Sequence, residues 1–118
     1  MSWKDCLKEG SELVLISSSK KAEPHGIIVI SLGIIDNKIL IGLCQSNTSI
    51  KNFEDNKSAC IIVKNKKEYY RIKGKTELFS SGEYFDIAIE KSKGYDVKKA
   101  LLVNIDEVFD LENVKKIL

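Results

Sequence analysis

Five consecutive polar residues, Gln45, Ser46, Asn47, Thr48 and Ser49, separate an apolar run from a segment with helical spacing, and Lys51 follows almost at once. Thr48 is a good N-cap, and Ile50 with Phe53 at i, i+3 gives the helix an apolar seam. The first backbone N–H groups of such a helix have no intrahelical partner, and its positive end faces the loop. A phosphate fits there. Ser46, Asn47, Thr48 and Ser49 would add hydroxyl and amide donors, and Lys51 could reach back with a full charge. The charge order in this helix is also reversed. The macrodipole favours acids in the first turn and bases in the last, each worth about 0.3 to 1 kcal/mol when exposed. Here Lys51 comes early and Glu54 and Asp55 come late. An anion docked at the N-terminus would offset the misplaced lysine. The competing explanation is an ordinary exposed lysine, tolerated at a cost of about a few tenths of a kcal/mol.

Other reactive side chains are sparse. The single histidine, His25, excludes zinc sites that need several imidazoles, so no metal is expected. A Ser-His-Asp triad would have to be built on His25, which follows Pro24 where a strand begins and reads more simply as a polar rim residue. Cys6, Cys44 and Cys60 are odd in number and far apart, without C-x-x-C spacing, which argues against a disulfide framework. Cys60, within SACIIV, reads as a small buried hydrophobe. Cys44 stands at the mouth of the polar loop, and Trp3 reads as a packing anchor of the first helix.

The 118 residues make one domain, with 43% hydrophobic and 31% charged residues, as in an ordinary globular protein. Lys plus Arg number 19 and Asp plus Glu 17, a net charge of +2, too small to suggest a nucleic-acid binder on bulk electrostatics. Any anion site must be local. The longest apolar stretch, residues 27–35, is interrupted by Ser31 and falls short of the ~20 residues of a membrane span. The N-terminus, MSWKDCLKEG, carries charges where a signal peptide needs an apolar core, which predicts a cytoplasmic protein.

The elements that must position the loop follow from periodicity. Ser2 with Asp5 resembles a capping box for a short N-terminal helix that Gly10 ends. Strands are predicted over residues 12–17, 25–35, 39–43 and 58–63, with Asp36-Asn37-Lys38 supplying turn chemistry. Residues 68–79 alternate cleanly, with Tyr70, Ile72, Thr76 and Leu78 on one face and Arg71, Lys73, Lys75 and Glu77 on the other. Gly74 in that strand predicts a bulge or a close backbone approach. A helix over 84–92 follows, with Tyr84, Ile87 and Ala88 on one face and Gly94 at its end. Residues 100–105 form a sixth strand that 108–111 could continue, and the tail, 112–118, is a short helix or a strand end. Hairpin-length turns and few helices indicate a mostly β chain whose antiparallel sheet closes into a small barrel.

The succession ELVLISSS, EPHGIIVISL, KILIGLCQSNTSIKNFEDNKSACIIV and EYYRIKGKTELFSSGEYFD resembles the FMN-binding split-barrel proteins of the pyridoxamine 5′-phosphate oxidase-like superfamily, over roughly residues 13–108. It rests on the order and spacing of elements, and the short chain is most similar to the small single-domain members. The resemblance implies a six-stranded antiparallel split β-barrel of Greek-key type with a few short helices, acting as a homodimer. It implies that Gln45, Ser46, Asn47, Thr48 and Lys51 hold the FMN phosphate and that the backbone of Val29, Ile30 and Ser31 carries the isoalloxazine. Arg71, in the R-I-K-G segment, is implied to contact flavin or the partner chain. Many members place a basic residue immediately beside the loop hydroxyl, where Ser49 and Ile50 stand here. That departure leaves deazaflavin F420 or haem open as alternatives to FMN, and no counterpart of the pyridoxal-phosphate-binding residues is found.

The implied function is an FMN-binding redox protein, an oxidoreductase on a small substrate or an electron carrier. Its rivals are an oligonucleotide-binding barrel, built on Arg71, Lys73 and Lys75 with Tyr69 and the run Lys64 to Lys67, and a dimerisation module without a cofactor. Glu68 and Glu77 dilute the basic patch, and alternating charges of this kind are usually a solvated strand face.

Overall fold

A computed structural model describes residues 3–118. Ser2, the first member of the expected capping box, lies outside the described residues, and Trp3–Leu7 forms a 3-10 helix. Seven strands and two α-helices follow: β1 (Glu12–Ser18), β2 (Pro24–Ile35), β3 (Lys38–Leu43), α1 (Asn47–Asp55), β4 (Ser58–Asn65), β5 (Glu68–Phe79), α2 (Glu83–Lys91), β6 (Lys99–Asp110) and β7 (Lys115–Lys116). All pairings are antiparallel, in the order β3-β2-β1-β4-β5-β6-β7, and β3 also pairs with β6. That last pairing closes six strands into a barrel. The order β4-β1-β2-β3, with β4 returning through α1 to lie beside β1, is the Greek-key arrangement.

Period-two patterning fills the interior. Leu13 and Leu15 of β1, Ile39, Ile41 and Leu43 of β3, Ile61 and Val63 of β4, Ile72 of β5 and Leu101, Val103 and Val108 of β6 form one core. The 3-10 helix adds Cys6 and Leu7, and α1 adds Phe53. A second, smaller core lies outside the barrel, where Leu32, Leu40, Ala100 and Leu102 pack under Ala88 of α2 and Val97. Strand β3 and the first part of β6 are therefore buried on both faces, which is why KILIGL and ALLV read as nearly continuous apolar runs.

Two bulges shape the strands. Between β5 and β6 the register passes from Lys73 opposite Glu107 to Gly74 opposite Ile105, leaving Asp106 as the extra residue. This reverses the in-out alternation of β6. Val103 and Val108, of opposite parity, both face the core, so residues 100–105 and 108–111 read as two pieces although they belong to one strand. A Cβ on Gly74 would stand 2.2 Å from Asn104 O, so the close approach and the bulge occur together. In β2 the register shifts between Ser31 and Ile34, with Gly33 at φ 104°.

Two sequence expectations are corrected and a third, left open between two alternatives, is decided. Helix α1 starts at Asn47 with Ser46 as its N-cap, and neither Ser46 nor Thr48 caps it through a side chain. Its buried face is Ser49, Asn52 and Phe53, two of them polar, and Asn52 Nδ2 donates to Ser17 Oγ of β1 at 3.0 Å. Cys60 is not an interior hydrophobe: Ala59 and Ile61 face the core, which turns the thiol outward, half-buried, opposite Lys73. The tail resolves to a strand end, with β7 pairing Lys116 to Phe109. Among the described residues no helix is long and apolar enough to cross a membrane.

Candidate functional site

Pairing of β2 with β3 stops at Ser31 opposite Ile41, while pairing with β1 runs on from Ile30 to Pro24. The first half of β2 therefore has one bonded edge and one open edge. Ser31 N–H donates to Ser11 O at 2.8 Å, and Gly10 N–H donates to Ser31 O at 2.9 Å, so the peptide of Ser31 is turned toward β1. Alternation along the strand then turns the peptide of Ile28 toward the open edge. The outward side chains there are apolar and bare, with Ile28 71% and Ile30 47% exposed.

The opening beside this edge is a cavity of about 290 Å³ lined by Ile28, Val29, Ile30, Leu32, Gly42 and Cys44, with Gln45, Ser46, Ser92 and Tyr95 completing it. A side chain at Gly42 would press on Ser92 Oγ at 3.0 Å and Val97 Cγ2 at 3.3 Å, so glycine keeps this space open. Adjoining it, and sharing Cys44, Gln45 and Tyr95, is a groove of about 880 Å³ that adds Asn47, Gly94, Asp96 and Lys98. Lys98 N–H donates to Leu43 O at 2.9 Å, and its Nζ donates to Asn47 Oδ1 at 3.2 Å. Apolar walls on one side, then hydroxyl, amide and ammonium groups on the other, suit a planar aromatic ligand with an anionic tail. The residues present fit FMN in that sense.

The expected site residues separate into three groups. Val29, Ile30, Gln45 and Ser46 meet in the first cavity, and Asn47 lies in the second. Ser31 is adjacent but committed: its Oγ donates to Leu7 O at 2.7 Å and accepts from Gly33 N–H at 3.0 Å. Thr48, Lys51 and Arg71 line neither space. Lys51 Nζ pairs with Asp55 Oδ2 at 3.3 Å, one turn along α1, which supplies the misplaced lysine with a counter-charge inside its own helix. Arg71 stands on the outer face of β5 with its guanidinium 4.8 Å from the Phe109 ring.

Burial, and then the Asp96 carboxylate, push the Cys44 thiol up, away from the lowered pKa that marks a reactive cysteine. His25 lines neither space. Among the described residues no group of three or more His, Cys, Asp or Glu is placed to hold a metal ion.

No family model matches the sequence, and no curated protein matches it. Solved structures do. HupZ of Group A Streptococcus superposes with a TM-score of 0.82 at 18% identity, covering 91% of this chain and 90% of that one. An FMN-binding protein from Syntrophomonas wolfei gives 0.72 at 14% identity, over 92% and 80% of the two chains. A pyridoxamine 5′-phosphate oxidase-related, FMN-binding protein from Nostoc punctiforme gives 0.64 at 13%, over 82% and 71%. The fold is the pyridoxamine 5′-phosphate oxidase-like split barrel. An F420 reductase and HutZ, the haem storage protein of Vibrio cholerae, share it.

In this split barrel the residues that sequence reasoning missed come from the turn after α2: Ser92, Tyr95, Asp96 and Lys98. Their signal was a tyrosine beside a glycine in the charged string KGYDVKK, an aromatic with no periodic face to occupy. Gly42 was also missed, because a glycine inside a strand does not announce which side needs the space.

Proposed function

We propose that the chain is an FMN-binding redox protein, an oxidoreductase or flavin electron carrier, acting in the cytoplasm as a homodimer. The observation that carries this is the meeting, in one cavity, of the open edge of β2 with the Gln45-Ser46 loop. Bound FMN supplies the hydride and electron chemistry. The chain's own groups bind and orient. Ile28, Ile30 and Leu32 shield the ring from water, the Ile28 peptide offers a preorganised hydrogen-bonding edge, and Gln45, Ser46 and Asn47 offer polar groups to the tail.

The dimer is supported by a row of outward residues in register across four strands: Ile28, Val14, Ile62 and Arg71. Ile28 and Val14 are exposed, and at the far end Arg71 Nε is buried without an acceptor. A second copy laid on this face would cover the apolar side chains and could supply the acceptor.

The test is the absorption spectrum of the purified protein, followed by titration of apo-protein with FMN and with riboflavin. Tighter binding of FMN is expected. Equal affinity for the two would remove the phosphate cradle, and binding of neither would remove the cofactor. Sedimentation should give twice the chain mass. A second reading, deazaflavin F420, is favoured by the size of the adjoining groove, about 880 Å³ against 290 Å³, which has room for a longer tail than a single phosphate. Tighter binding of F420 than of FMN in the same titration would decide for it.

A further inference from the structure

The turn between α2 and β6 is pinned along its length, yet it leaves one large aromatic side chain in the open. Tyr95 N–H donates to Ser92 O at 3.0 Å, Gly94 takes φ 84° to make the turn, Val97 is buried in the outer core, and Lys98 N–H donates to Leu43 O. Between these anchors Tyr95 is 74% exposed. Its position is informative, since Tyr95 belongs to the lining of both spaces, at the place where the apolar cavity passes into the polar groove. The other strongly exposed apolar residue of the first cavity is Ile28. Two bare surfaces bordering one opening, one aromatic and one aliphatic, are what a flat ring would cover on its two faces.

Charge in the groove is just as specific. Lys98 is the only lysine of its lining. The backbone bond to Leu43 fixes where its side chain starts, and its Nζ reaches Asn47 Oδ1 on the far side. Lys51, the cation that follows the loop in sequence, is paired with Asp55 and lines neither space. Asp96 completes the groove as a hydrogen-bond acceptor, suited to a hydroxylated linker between ring and charge.

We infer that this turn is the ligand-selecting element of the site: Tyr95 lies on one face of the ligand's aromatic ring, and Lys98, stationed at Asn47, takes the anionic end. The inference rests on the flavin reading and assigns roles within it. It makes the phosphate preference a property of Lys98 and the ring affinity a property of Tyr95, so the two are separable.

The experiment is equilibrium titration of the full chain with FMN and with riboflavin, read by flavin fluorescence. For Lys98→Ala, FMN affinity should fall by about tenfold, as for a lost charge-assisted hydrogen bond, while riboflavin affinity changes by less than about twofold. Lys98→Arg should recover most of the FMN preference. For Tyr95→Leu, FMN and riboflavin should weaken together by about tenfold, and the quenching of bound-flavin fluorescence by the stacked phenol should be lost. Lys51→Ala should leave the FMN preference in place. Wild-type protein that binds neither flavin would overturn the cofactor reading together with this inference. Wild-type protein that prefers FMN would overturn this inference alone if Lys98→Ala kept the preference, if Lys51→Ala abolished it, or if Tyr95→Leu stayed fully quenched.

Discussion

Strands β2 and β5 are both twelve residues long, both beside a register shift and both inward-facing on alternate residues, yet their outer faces are opposites. Beyond Arg71, whose Nε is buried without an acceptor, the outer face of β5 is satisfied within the chain. Arg71 lies over Phe109, Lys73 faces Glu107 across the sheet, Lys75 donates to Ser58 Oγ at 3.3 Å, and Glu77 accepts from Asn104 Nδ2 at 3.2 Å. The outer face of β2 carries Ile28 and Ile30 beside an edge that β3 has left. A strand face that has found partners in its own chain is structure. One left apolar, exposed and half unbonded calls for something from outside the chain, a ligand or a second copy.

The comparison can be broken hardest at the bulges. Gly74→Ala should destabilise the fold by about 3 kcal/mol or more, because its Cβ would lie 2.2 Å from a backbone oxygen that cannot swing away. Gly33→Ala should cost less, about 1 to 2 kcal/mol, since nothing stands within 3.8 Å of its Cβ and only the positive φ opposes it. Urea unfolding of the two variants measures the difference. Equal losses would show that the close approach of Gly74 to the bulged strand β6 has no special steric role.

The outer faces are distinguished next. Ile28→Lys should weaken FMN binding by about tenfold or more and shift the sedimenting species toward monomer, and because the side chain is exposed within one chain the urea midpoint should fall only by what association contributed. Lys73→Gln, on β5, should alter neither flavin affinity nor association state. If both substitutions behaved alike, the contrast between the two strands would carry no functional meaning.

The smallest effect is a pH dependence confined to β5. The Tyr70 hydroxyl donates to Glu68 Oε1 at 2.8 Å, and this bond, with burial behind it, pushes the phenol up to about 12. A folded-state pKa above the ordinary value near 10 favours the neutral phenol. The stability it brings is thus fully present below pH about 10 and is lost as pH rises toward 12. Tyr70→Phe should flatten that limb of a stability profile, and an unchanged limb would show that the bond contributes nothing measurable.

Much of this architecture was legible in the residue order. The alternation from Glu68 to Phe79 matches β5 at both ends, and Asp36-Asn37 adopts the positive φ that its turn chemistry implies, 53° and 64°. Gly74 was legible as a local anomaly, though not the bulge on β6 that answers it. The site was half legible. Gln45, Ser46 and Asn47 stood out as a polar string and do line the two spaces, whereas Lys51 stood out by charge order and turned to Asp55. An i, i+4 acid one turn away was visible in the sequence, but only the helix surface makes it a partner.

What the sequence determined by itself is whatever depends on neighbours a few residues apart: the strands, the turns, α1 and α2, and the low supply of catalytic or metal-binding side chains. The tertiary structure alone decided which of these meet. Lys98 reaches Asn47 across 51 positions, and the turn that carries it is placed by the pairing of β3 with β6 that closes the barrel. That closure buries one face of β3 in the barrel and the other under α2, and it frees the first half of β2 from a second neighbour. No local pattern encodes such a gap, because an unpaired strand edge is a property of the partner that departs and not of the strand that remains.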